Sequence, residues 1–147
     1  MKLPIDFFLK GINEKKVYYF SISKLNTDVP HYFICIFKGE KDTLVLVCCT
    51  SDKDDKRKTR IEKLGLHSTL VWIKPDSENG LSKDTFVDCN SVFEYSIDDF
   101  KAMYERDLLE YKGEISLAHY EQIIHGLLAS PNITNDIKEL LRNKQDL

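Results

Sequence analysis

Two short, uninterrupted apolar runs constrain this chain most. Tyr32–Phe37 (YFICIF) and Thr43–Cys49 (TLVLVCC) flank the polar turn Lys38-Gly39-Glu40-Lys41-Asp42. Their length, their content of β-branched and aromatic residues and the turn residues around them predict two buried strands joined as a hairpin. The second run stops at Thr50-Ser51, and the charged stretch SDKDDKRKTR begins there. A buried strand thus delivers two hydroxyls straight into a Lys/Arg-rich segment.

Val17–Ser23, Thr69–Lys74, Asp84–Cys89 and Ser91–Tyr95 read as further strands, the last two as one more pair or as a single bent strand. Short strands at this spacing predict a small barrel or a strongly bent sheet. The pattern changes at Ser96, which with Asp99 resembles a capping box, Asp standing where Glu is usual. Ile97, Phe100, Met103, Tyr104 and Leu108 then recur at helical spacing. Gly113 breaks that pattern and Ser116 is the next candidate N-cap. Leu117, Tyr120, Ile123, Ile124, Leu127 and Leu128 form a stripe that ends at Ser130-Pro131. A third helix is expected over Asp136–Asn143. The fold class expected is therefore α+β, mainly β, in one domain over 1–147, strand-rich at about 17–95 and helical at about 96–143. Ser51–Lys63, polar and charged, reads as a long surface loop.

A formal net charge of -3 argues against nucleic-acid binding by total charge, but leaves room for a local basic patch. No apolar run approaches the roughly 20 residues of a membrane span, and the N-terminal MKLPIDFFLKGINEKK lacks a signal-peptide pattern. The expected location is cytoplasmic, with no membrane partner, and the four cysteines are expected as reduced thiols. There is no CxxC, and the histidines lack metal-ligand spacing, so neither a metal nor another cofactor is expected.

Several side chains carry chemistry. The hydroxyls of Thr50 and Ser51 suit a phosphate or a ribose 2′-hydroxyl, although Ser and Thr also end many strands for local reasons. Lys53, Lys56, Arg57, Lys58 and Arg60 suit a nucleic-acid backbone; diluted by Asp52, Asp54 and Asp55, they also fit an ordinary solvated face. His31 and His67, each next to a predicted strand, are candidates for proton exchange with a reacting oxygen. Exposed aromatics among Tyr18, Tyr19, Phe20, Tyr32, Phe33, Phe37 and Trp72 would stack on unpaired bases; buried ones would form core.

In order, VPHYFICI, TLVLVCCTS, NGLSKDTFVDCNSVFEY and KGEISLAHYEQIIHGLLAS resemble successive segments of the MazF/PemK family (CcdB/PemK superfamily), the toxins of bacterial type II toxin–antitoxin modules. The resemblance spans roughly 17–130. It implies an SH3-like β-barrel with C-terminal helices packed on it, a homodimer, and metal-independent endoribonuclease cleavage of single-stranded RNA such as mRNA. It also implies growth inhibition relieved by a cognate antitoxin protein. By position, Thr50 matches the family's hydroxyl residue and Pro30 its proline. The family's catalytic arginine precedes that proline, and here the position is Val29. Arg57, Arg60 and His31 are the candidate substitutes.

The site expected on this basis has Thr50 and Ser51 gripping the phosphate or 2′-hydroxyl, Arg57 or Arg60 stabilising transition-state charge, and His31 as acid or base. Lys53, Lys56, Lys58, Arg60 and His67 would hold the RNA. The alternative, to which Val29 and the acidic balance point, is a catalytically inactive barrel that binds RNA or a protein partner.

Overall fold

The computed structural model describes residues 2–21, 29–39, 41–51 and 56–145; for Ser51, 56–58, 144 and 145 it describes the backbone alone. The elements are α1 (Ile5–Lys10), β1 (Lys16–Phe20), β2 (His31–Lys38), β3 (Thr43–Ser51), α2 (Lys56–Lys63), a 3₁₀ turn (His67–Thr69), β4 (Leu70–Ile73), β5 (Thr85–Ser96), α3 (Ile97–Glu105), β6 (Leu109–Glu114), α4 (Leu117–Ala129) and α5 (Asn135–Gln145).

All pairings are antiparallel, in the order β4-β5-β3-β2-β1-β6. The hairpin of β2 and β3 lies in the middle of the sheet, which explains its uninterrupted apolar sequence. Successive side chains of a strand point to opposite faces, and both faces of β3 are covered. Val45, Val47 and Cys49 join a core completed by Ile123, Ile124 and Leu127 of α4 and Ile137 and Leu141 of α5. Leu44, Leu46 and Cys48 join a second core with Phe8 of α1 and Phe100 and Tyr104 of α3. A strand buried on one face alone would alternate. All four cysteines are free and buried, and burial pushes the Cys35 thiol up to about 12.

Three sequence expectations change. The sheet is open rather than closed into the expected SH3-like barrel: β4 and β6 are its edges. Backbone contact between the two sides runs instead through the segment after β4, where the Glu114 amide donates to the Glu78 carbonyl at 2.9 Å. The helical second half is interrupted by β6, so Leu108 is exposed instead of facing inward. Strand β6 buries only Leu109 and Gly113, so it carries little apolar signal, and pairing with β1 defines it. The segment read as a surface loop contains α2, whose Ile61 packs inward, and 52–55 lie outside the described residues. The two segments 84–89 and 91–95 form one strand, β5, with a register shift opposite Leu46/Cys48.

Local signals behave as read. Ser96 and Asp99 form a reciprocal capping box, both bonds 3.0 Å long, and Ser116 caps α4 through the His119 amide. Among the described residues, no helix is long and apolar enough to cross a membrane.

Candidate functional site

Antiparallel pairing brings the start of β2 beside the end of β3: Tyr32 faces Cys49 in the register. His31 and Thr50 therefore reach the same end of the sheet, where they line one cavity of about 250 Å³ with Tyr19, Tyr32, Ser82 and Lys83. Thr50 is half-buried, so its position is held while its surface stays accessible. The Thr85 hydroxyl donates to the Thr50 carbonyl at 2.7 Å and fixes the backbone there.

Ser82 and Lys83 come from the segment between β4 and β5, which is anchored by its own side chains. Asp76 Oδ1 accepts from the amides of Glu78 at 2.8 Å and Asn79 at 2.7 Å, and these two bonds hold its carboxyl below the usual range. Fully buried Asn79 accepts from the Leu81 amide at 3.0 Å and donates to the Lys74 carbonyl at 2.9 Å. Gly80 takes φ +70, and a Cβ there would lie 2.2 Å from the Lys112 carbonyl oxygen. A Cβ on Gly113 would lie 2.1 Å from the Glu78 carbonyl oxygen. The two backbones meet at a distance only glycine permits. That contact sets the segment against β6 and positions Ser82 and Lys83 a few residues on.

The His31 ring has a defined tautomer. Its Nδ1 lies 3.0 Å from the Val29 carbonyl, which can only accept, so Nδ1 donates and Nε2 carries the lone pair in the neutral ring. Nε2 is then the atom able to take a proton. Tyr19 and Tyr32 form an aromatic wall, with ring centroids 4.7 Å apart at 40°. The Lys112 ammonium lies 5.4 Å from the Tyr19 ring centroid and is paired with Glu110 at 2.7 Å. Burial pushes the Cys49 thiol well up, so it lines the cavity as a neutral thiol rather than a thiolate nucleophile.

The residues singled out in the sequence divide. Thr50 and His31 meet in this cavity. Arg60 lines a different one, of about 570 Å³, with Asp88 and Asn90. Among the described residues, the cation that lines the cavity with Thr50 is thus Lys83 rather than Arg60. His67 is exposed in the 3₁₀ turn and lines neither cavity. The Ser51 backbone pairs with Thr85 at the end of β3, and Lys56, Arg57 and Lys58 form the first turn of α2, their side chains outside the described residues; Lys53 lies outside them altogether. Sequence reasoning did not select Ser82 and Lys83, although the NGLSKDT segment that carries them was part of the family pattern. Among the described residues, no group of three His, Cys, Asp or Glu side chains could hold a metal ion.

No protein-family model matches the chain, and no curated protein matches it. Among solved structures, it matches an endoribonuclease from mycobacterial species at 14% identity and a TM-score of 0.51, over 83% of this chain and 92% of that one. At that identity the likeness is one of fold: an antiparallel sheet with helices packed on it, shared over most of both chains.

Proposed function

We propose that this chain is an endoribonuclease of the MazF/PemK toxin kind. It cleaves single-stranded RNA without a metal, acts as a homodimer, and is inhibited by a cognate antitoxin. The observation that carries the reading is the meeting of His31, Thr50 and Lys83 in one accessible cavity. The fold shared with a mycobacterial endoribonuclease supports it.

RNA itself supplies the nucleophile. The ribose 2′-oxygen attacks the adjoining phosphorus and the P–O5′ bond breaks, leaving a 2′,3′-cyclic phosphate and a 5′-hydroxyl. Nε2 of His31 takes the 2′-hydroxyl proton, and the leaving 5′-oxygen gains a proton from the imidazolium or from water. The Thr50 and Ser82 hydroxyls and the Lys83 ammonium hold the phosphoryl oxygens as charge develops on them. Lys83 thereby replaces the charge lost with Val29 at the family's arginine position. Tyr19 and Tyr32 offer faces for an unpaired base. Ser51 and Arg57 complete the proposed catalytic set at the scissile phosphate, and Lys53, Lys56, Lys58, Arg60 and His67 are proposed contacts to the RNA strand beyond it.

The test is incubation of purified protein with a long unstructured RNA, with and without a chelator, followed by analysis of the product ends. Cyclic phosphate ends that form equally in chelator are the expected result. Intact RNA under both conditions defeats the proposal. The valine at position 29 favours a second reading, a non-catalytic RNA-binding domain. RNA binding that weakens with salt, without cleavage, would establish it.

A further inference from the structure

The larger cavity lies outside the proposed catalytic site. Strand β4 pairs with β5 only as far as Asp88. Beyond that point β5 lacks a β4 neighbour, and a space of about 570 Å³ opens between its Asn90–Phe93 stretch and helix α2. That volume is typical of small-ligand sites.

Asp88 lines this space and is only 7% exposed. Its Oδ1 accepts from the Asn90 amide at 2.9 Å and from Asn90 Nδ2 at 3.0 Å. Asn90 is itself fixed: Nδ2 also donates to Thr69 Oγ1 at 2.8 Å, and Oδ1 accepts from the buried Ser130 hydroxyl at 2.7 Å. Asp88 Oδ2 accepts no hydrogen bond from the described residues, and none of their buried side-chain oxygens lacks a partner. Oδ2 is therefore open to the cavity. The bonds at Oδ1 hold the carboxylate rigidly, so Oδ2, without a hydrogen bond from the described residues, is a fixed acceptor that the cavity offers to N–H donors. Phe93, Ile61 and Leu64 give the space apolar surface, and exposed Arg60 lies at its edge.

We propose that this cavity binds a guanine base of the RNA strand, with Asp88 Oδ2 accepting from the adjacent N1–H and N2–H groups and Arg60 holding a neighbouring phosphate. Guanine is the base whose pairing edge brings two neighbouring N–H donors to one acceptor, whereas uracil offers one N–H between two carbonyls that a carboxylate repels. The choice of RNA as source rests on the proposed function; the receptor for paired N–H groups rests on Asp88 alone.

The test is NMR titration of the full chain with guanosine, inosine and uridine monophosphates, none of which requires cleavage. Guanosine monophosphate should shift the amides of Ser91, Val92 and Phe93 and bind at least about tenfold more tightly than the other two, one lost bond to a charged group costing roughly that factor. Asp88→Asn should abolish the preference, and Arg60→Ala should weaken all three alike. A short single-stranded RNA with one guanine should bind more tightly than the free nucleotide. Equal binding of guanosine and inosine monophosphates by the wild type overturns the proposal even if Asp88→Asn fails to fold. So do shifts confined to the His31–Thr50 cavity, or tighter binding of free nucleotide than of RNA. Guanine preference without RNA cleavage would uphold this inference and remove the proposed activity; cleavage without guanine preference would do the reverse.

Discussion

The Tyr32 hydroxyl donates to Oγ of Ser82 across 3.3 Å, tying the start of β2 to a segment 50 residues downstream. Tyr32 follows His31 and Ser82 precedes Lys83, so this bond joins the two sides of the cavity that holds the proposed base and cation.

His31→Gln and Thr50→Ala should separate catalysis from folding. Loss of a general base typically costs about 100- to 10,000-fold. A hydroxyl that contacts a charged phosphoryl oxygen is worth roughly 10- to 100-fold. Cleavage rates should fall by those factors while melting temperatures stay close to wild type. Unchanged cleavage in His31→Gln would remove the histidine from the mechanism.

Replacing Lys83 with methionine tests the cation that lines the Thr50 cavity. The variant should bind RNA more weakly, and the slope of log affinity against log salt should shrink by about one phosphate contact. Arg60→Ala should leave the cleavage step itself nearly unaffected, because Arg60 lines the other cavity. If Arg60→Ala abolishes turnover and Lys83→Met does not, the charge has been assigned to the wrong side chain.

Gly113→Ala should be among the most damaging conservative changes in the chain. Its added methyl would lie 2.1 Å from the Glu78 carbonyl oxygen, so one of the two backbones must move. Overpacking typically costs about 1–3 kcal/mol. Chemical denaturation should show a loss of at least that size, and Ser82 and Lys83 should be displaced with the segment. A neutral effect would mean that the contact with β6 does not set the segment.

Acid should weaken the tie between β1 and β6. The ammonium of Lys16 lies 2.8 Å from Glu114, and this bond lowers the carboxyl pKa and raises that of the ammonium. The Glu114 contribution is present above the unfolded carboxylate range and is lost as pH falls through its lowered native value. The Lys16 contribution is present below the unfolded ammonium range and is lost as pH rises through its raised native value. Glu114 is 40% exposed, so screening keeps the effect below about 1 kcal/mol. Glu114→Gln should lower stability near neutral pH slightly and make it less sensitive to acid. Identical acid unfolding curves at low salt would show that the pair contributes nothing.

What could be read from the chain was local. Continuous apolar runs marked β2 and β3 as central strands because both their faces are covered. Ser96–Asp99 and Ser116 marked helix starts because a cap is made within four residues. The exposed edge strand β6 was hidden, since its charged and tyrosine side chains give no alternation and, among the described strands, it pairs with β1 alone. Helix α2 was hidden for a related reason: in a charged segment, Ile61 is the apolar residue that its described side chains bury.

The sequence by itself determined which residues could do phosphate chemistry, because that depends on hydroxyl, imidazole and cationic groups. It also determined that a rigid hairpin would carry some of them, because short apolar runs next to a polar turn have few other stable arrangements. Only the tertiary structure decided that Lys83 rather than Arg60 stands beside Thr50, and that Asp88 faces a second cavity. Proximity across a sheet depends on strand order and register. Those are selected by burial over the whole chain, which no short stretch contains.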